Sequence, residues 1–408
     1  MNIARLIFDS KLTKLERQIE IARRADYSYP DGRDALGLLL YKIKRTRSRV
    51  AEAEGLSLSI QTSIYRDANF LISRVTDIVG IITRSTSVRS AFEFYAPFLE
   101  ISKNLVGESA HLILSSEWSY VPFTYPQTLE DLPDFILIGL PASESDNVLV
   151  LPAAGHELGH TIWLKRRISD SYEKDIKHRI DGVLTERRSD FEVSFPDLKG
   201  ADLDQDMFVQ YIKSQIYQSC IAQFEEIFSD FIGLSLFGES YFYAFQYLVA
   251  PRLSGIRSLS YPDTLARAQM IAEYTNAKFS VDVGDCKAHF LADDASRDPR
   301  LQFVTQIADA VVSKFIDNLY EAAHGIIASQ PIATPKISTT VEVEERFRIG
   351  IPFDGEASLG DIINAGWRVF RSDNQKQYSL QGRSIIEYIS DLSLKSIELC
   401  EIRKIMRD

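Results

Sequence analysis

Over the first quarter of the chain, apolar positions recur at helical spacing. In KLTKLERQIEIARRADY (residues 11–27), Leu12, Leu15 and Ile19 fall three and four positions apart with charged residues between them, as one face of an amphipathic helix requires. Pro30, Asp31 and Gly32 in SYPDGRD predict a turn. ALGLLLYKIKRTRSRVAEAEG and the stretch from Ser57 to about Arg84 predict two further helices. Residues 1–108 are therefore expected to form an antiparallel helical bundle.

Around residue 110 the period changes. AHLILSSEWSYVPFTYP, DFILIGLP and NVLVLP are short, rich in β-branched and aromatic residues, and separated by Pro, Asp, Ser and Asn. They predict a small sheet of three or more strands within 110–152. AAGHELGHTIWLKRR follows with no proline and helix-compatible composition, and the helical pattern continues to about 280, interrupted at SFPDLKGADLDQD (194–206). Beyond 300 the pattern predicts a helix near 301–328, an irregular section over 329–360, and helices near 359–371 and 383–406. The expected fold is α+β and predominantly helical, in three parts: 1–108, 109–280 and 281–408.

One stretch has the length of a membrane span. FIGLSLFGESYFYAFQYLVA (231–250) contains a single charged residue, Glu239. Gly233, Gly238 and three tyrosines interrupt it and no basic residues anchor it, so a buried helix with a break is expected and no integral membrane span. The formal charge of −11 argues against general attraction to nucleic acid or anionic lipid. YKIKRTRSRV (41–50) is the exception, with Lys42, Lys44, Arg45, Arg47 and Arg49 in one stretch. It reads as a solvated helix face, with a partner or nucleic-acid contact as the alternative. The three cysteines are scattered, and Arg5, Asp9 and Lys11 interrupt any apolar leader at the start. A reducing, cytoplasmic location is expected.

The chemistry concentrates in His156-Glu157-Leu158-Gly159-His160. Four residues advance a helix by about 400°, so the two imidazoles project from one face and can converge on one point. Glu157, rotated by about 100° from His156, stays outside that point but beside it, where a general base would stand. A pattern this short arises by chance in on the order of one such chain in a hundred, so a third ligand must be sought. QSCIAQFEEIFSDFIG (218–233) offers Glu226 and Asp230 four apart, sharing a face with Ala222 and Gly233, which leave room for a neighbour. Ile221, Phe224, Ile227, Phe228, Phe231 and Ile232 make this segment apolar nearly all round. A buried carboxylate there needs a partner, and a divalent cation is a good one. Glu226 would complete the ligand set, with Glu225 as the alternative, and Asp230 would accept the outer N–H of a ligating histidine. His111, His178, His289 and His324 are isolated and are not expected to be ligands.

His156-Glu157-x-x-His160 followed by Glu226-x-x-x-Asp230 resembles the gluzincin signature of zinc metallopeptidases. The long interval between the two motifs is similar to the group containing the CAAX prenyl proteases and the mitochondrial inner-membrane gluzincins. The resemblance covers roughly residues 135–275. SYPDTLARAQMI (260–271) is similar to a later segment of that group, with Tyr261 where the group has histidine and Arg267 matching its arginine.

The resemblance implies a zincin-like domain with a small sheet, flanked by a helical N-terminal bundle and a helical C-terminal region. It implies a zinc ion on His156, His160 and Glu226, with Asp230 behind a ligand and Glu157 as base. The activity implied is an endopeptidase that hydrolyses peptide bonds of a protein or peptide substrate through a metal-activated water. Arg267, Tyr261 and Tyr243 are the candidates for stabilising the transition state. NVLVLP is the expected edge strand for an extended peptide. The alternative is a regulatory or sensor protein in which the peptidase-like site is latent or structural and the helical regions bind a partner.

Overall fold

The structure is a computed structural model that describes residues 3–27, 29–84, 93–117, 122–124, 131–250, 255–372 and 384–407. The fold is predominantly helical with one small three-stranded sheet. Two compact units divide the chain, one of residues 1–103 and 107–146, the other of 104–106 and 147–408.

In the first unit, α1 (Ile3–Ala22), α2 (Pro30–Glu52) and α3 (Leu58–Arg84) follow the apolar periodicity, and α4 (Tyr95–Val106), all but its last three residues in this unit, precedes the sheet. Pro30 and Asp31 do not form the expected turn. They are the first turn of α2, where proline's fixed φ suits a helix start and its missing N–H costs nothing. Leu36, Leu39, Ile43, Val75, Ile78 and Ile82 make a core that Ile113, Phe135 and Leu137 of the sheet complete. The sheet runs β1 (His111–Glu117), β3 (Phe135–Pro141), β2 (Phe123–Thr124). β1 and β3 are parallel, His111 facing Phe135, and β2 is antiparallel to β3. The basic stretch of α2 is largely paired within its own unit. Lys42 meets Asp131, Lys44 meets Glu16 and Glu20, Arg47 meets Asp9 and Glu16, and Arg49 meets Asp67.

The second unit begins with a departure from the sequence reading. Val148–Val150 is a turn of 3₁₀ helix, not a strand. Asn147 accepts from the Leu149 N–H, Trp367 Nε1 donates to the Leu149 carbonyl at 3.0 Å, and Ser390 Oγ accepts from Val148 N. Side chains thus take the backbone groups that a sheet ladder would use, and residues 148–151 are buried. No strand edge stands there for a peptide to extend.

α5 (Pro152–Lys165) follows at once, then α6 (Ile168–Glu186), α7 (Arg188–Ser194) and α8 (Met207–Phe237). α8 is started by Asp206, whose side chain accepts from the N–H groups of Phe208 and Val209. The expected break in 231–250 falls at Gly238, whose φ of +63° only glycine adopts without strain. α9 (Glu239–Val249) follows the break. No described helix is long and apolar enough to cross a membrane.

α10 (Thr264–Phe279) precedes α11 (Pro299–Val312) and α12 (Ile316–Ala328), two helices where one was expected. α13 (Ile337–Arg348) occupies part of the section expected to be irregular. Thr340, Val343 and Phe347 are its buried positions, at the spacing of a helix face. α14 (Leu359–Arg371) and α15 (Ile385–Ile405) each open with a capping box.

Candidate metal centre

Small residues decide how closely the two motif helices meet. A Cβ on Gly159 of α5 would lie 2.6 Å from Ser229 Cα of α8. A Cβ on Gly155 would lie 2.8 Å from the Phe237 ring and 3.3 Å from Gly233 Cα. The two backbones are therefore in contact, and the residues beside the glycines, His156 and His160, are carried against the residues beside Ser229, Glu226 and Asp230.

The result is a tight triangle. Nε2 of His156 and Nε2 of His160 are 3.1 Å apart. Glu226 Oε2 lies 3.5 Å from the first and Glu226 Oε1 3.7 Å from the second. Ligands at roughly 2.0–2.1 Å from a tetrahedral first-row cation are separated by about 3.4 Å, and here one donor atom from each of the three residues lies within 4.8 Å of the others. Among the described residues, His156, His160 and Glu226 are the one group of this kind, and together they could hold a metal ion.

Each ring is held from behind. His156 Nδ1 is 2.9 Å from Asp230 Oδ1, and His160 Nδ1 is 2.9 Å from Glu225 Oε1. A carboxylate on Nδ1 fixes the proton there and leaves the Nε2 lone pair for the centre. Asp230 is itself anchored. Arg267 of α10 donates to it from Nε and Nη2, both at 2.7 Å, and its Nη1 lies 3.0 Å from Glu226 Oε2. Tyr241 of α9 donates its hydroxyl to the same aspartate and lies 3.2 Å from His156 Nδ1. The Phe245 ring covers the guanidinium at 5.3 Å.

Four carboxylates (Glu157, Glu225, Glu226, Asp230) stand in this group with one guanidinium, an excess of negative charge when all are ionised. Burial lowers the His156 pKa, but hydrogen bonds to Asp230 and Glu226 and their charges outweigh it and push it up to about 10 in the metal-free protein. Burial raises Asp230 and Glu226, and Arg267 and His156 more than reverse this, so both stay below the ordinary carboxylate range. Glu157 goes the other way. Its burial raises its pKa, only partly offset by the charges of His156 and His160. A cation on Nε2 would replace the His156 proton and discharge part of the excess.

Tyr261, on the loop before α10, is half exposed, and the charge of Glu226 followed by burial raises its pKa. Tyr243 is not brought to this place. Its ring lies under Arg371 at 4.0 Å and against Trp367 at 5.7 Å. Two positions on a helix are about 200° apart, so Tyr241, two before it, faces the metal group instead. Tyr241 was missed, and the signal available was Gly233. The break at Gly238 turns α9 back so that the Tyr241 ring sits where a Gly233 Cβ would be, 2.5 Å from its position.

Compared with protein-family models, with curated proteins and with solved structures, the chain finds no match.

Proposed function

We propose that the protein is a zinc-dependent endopeptidase of gluzincin type, carried by the triangle of two Nε2 atoms and Glu226 with Glu157 buried beside it. Two imidazoles and one carboxylate are the donor set of a common catalytic zinc site, which leaves a fourth position open. When bound, zinc supplies Lewis acidity toward a carbonyl oxygen and toward water.

The chain's residues divide the rest of the work. Glu157, with its carboxyl shifted upward by burial, takes the proton of the attacking water as the new C–O bond forms. It returns that proton to the amide nitrogen as the C–N bond breaks. Arg267 is committed to Asp230 and Glu226 through three donors, so it positions ligands rather than meeting the oxyanion. Tyr261, half exposed beside the cluster, is the donor available for that. Cys220, Cys286 and Cys400 are free thiols, which supports a reducing, cytoplasmic setting.

The test is cleavage of unfolded casein by zinc-loaded protein, with metal content measured beside it. Glu157→Gln is expected to lower the rate by about 10²–10⁴-fold while zinc stays near one per chain, and Glu226→Ala to lose the zinc. Unchanged cleavage in Glu157→Gln would overturn the reading.

A further inference from the structure

The first turns of α8 carry an apolar surface that the metal group does not use. Phe208 and Tyr211 are 65% and 64% exposed, and with Leu259 and Leu301 they line an open groove of about 760 Å³. Single exposed apolar side chains are ordinary, whereas several joined in a groove mark a binding surface.

Helix geometry fixes the direction of this groove relative to the metal group. At about 100° per residue, Phe208, Tyr211, Ile212 and Gln215 all fall within about 60° of Glu226 around the α8 axis. At about 1.5 Å per residue, Gln215 and Phe208 lie roughly 16 and 27 Å along it. The helix is accessible in between. Gln218 is exposed, and Gln215, Ala222 and Glu225 are partly so, which makes a continuous strip from the groove to the carboxylate that holds His160. On the other side Ser219 Oγ donates to the Leu259 carbonyl, fastening the segment that leads to Tyr261.

The strip is acidic at its two ends. Asp197, Asp206 and Asp298 line the groove against one cation, Arg300. Arg300 is already engaged, 3.1 Å from Asp197 and over the Phe195 ring. Asp206 and Asp298 each cap a helix through Oδ1 and line the groove. At the far end stand Glu225 and Glu226.

We infer that the groove binds an unfolded segment of a protein substrate, seating an aromatic or large aliphatic side chain among Phe208, Tyr211 and Leu301 with a lysine or arginine beside it. An extended chain rises about 3.3 Å per residue, so the seated residue lies about five to eight positions from the bond cleaved. This rests on the hydrolase reading of the metal group. Its consequence is a preference for loosely folded proteins over short peptides, because a chain of three or four residues at the metal group cannot reach the groove.

The experiment uses full-length Glu157→Gln protein and a fluorescein-labelled Gly-Ser peptide of about twelve residues carrying one Phe-Lys pair, long enough to span the strip. Anisotropy is expected to give at least about tenfold weaker binding when Phe-Lys is replaced by Ser-Ser, the worth of burying one aromatic ring. Tyr211→Glu in the protein is expected to cost as much. Equal affinity for both peptides, or no effect of Tyr211→Glu in a protein of wild-type circular dichroism, overturns the inference. Asp298→Lys, on the exposed rim, covers the case in which Tyr211→Glu fails to fold. It is expected to weaken the Phe-Lys peptide and tighten a Phe-Glu one, and no change in either overturns the inference. Peptide capture together with a zinc-loaded wild-type protein that cleaves no casein sinks the hydrolase and supports the groove. Cleavage of casein with a KM indifferent to Asp298→Lys sinks the groove and leaves the hydrolase.

Discussion

Asp31 and Asp230 each hold a histidine Nδ1 and a tyrosine hydroxyl, one in each compact unit. In the first unit His111 Nδ1 is 2.6 Å from Asp31 Oδ1, and Tyr95 donates to the other carboxylate oxygen. In the second, His156 and Tyr241 meet Asp230. Both tyrosines have their pKa raised by burial and by the aspartate. What differs is the other face of the imidazole. The His111 ring stacks on Phe135 with its side chain 39% exposed, whereas Nε2 of His156 meets His160 and Glu226. A histidine backed by an aspartate and a tyrosine is thus an anchor. It could serve a metal ion only where further donors, here His160 of the same helix and Glu226 of α8, reach the same point.

Removing each aspartate separates the two cases. Asp230→Ala leaves Arg267 buried with Glu226 alone and frees the His156 ring, and breaking a buried pair of this kind costs about 3–5 kcal/mol. Asp31→Ala leaves His111 able to turn to water, so a loss of about 1–2 kcal/mol is expected. Urea denaturation of the metal-free proteins checks both values, and calorimetric zinc titration is expected to weaken in the Asp230 variant only. Equal losses, or a zinc defect in Asp31→Ala, would erase the distinction.

The ligand triangle was legible because its spacing is local to two helices. His156 and His160 are one turn apart, Glu226 and Asp230 likewise, and Gly233 beside the second pair leaves room for a neighbouring backbone. The failures have physical causes of the opposite kind. NVLVLP has strand composition, but Asn147, Trp367 and Ser390 satisfy its backbone, two of them more than 200 positions away. Pro-Asp-Gly at 30–32 signals a turn and a helix start equally well. Arg267 is named by the resemblance as a candidate for stabilising the transition state, but its three donors to Asp230 and Glu226, from a helix outside both motifs, depend on a chain path that no local period encodes.

Gly159 offers a sharper cut through the second region, because it sets the approach of α5 to α8 without touching a ligand. With a Cβ 2.6 Å from Ser229 Cα, Gly159→Ala must push two backbones apart. Overpacking of this sort costs about 1–3 kcal/mol, and widening the triangle should weaken zinc beyond that cost in stability. Gly182, whose Cβ would meet nothing within 4 Å, is the matched control: Gly182→Ala removes backbone freedom within α6 and should be neutral or stabilising. Thermal unfolding and zinc titration of the pair read the two effects separately, and a Gly159→Ala protein with wild-type zinc affinity would mean that helix approach does not set the site.

Glu225 marks where the resemblance between the two anchors ends within one site. It supports His160 as Asp230 supports His156, but its side chain is 24% exposed and that of Asp230 is fully buried, and no arginine fork or tyrosine holds it among the described contacts at His160. Loss of a carboxylate behind a ligating imidazole costs about 10–100-fold in metal affinity, and water can replace a partly exposed one. Glu225→Ala is therefore expected at the low end, about tenfold, with folding stability unchanged. Glu225→Gln keeps an acceptor oxygen toward Nδ1–H and should recover most of that loss. If the alanine variant loses zinc altogether, Glu225 is a ligand and Glu226 is not, which competition titration against a chromogenic chelator for both single variants decides.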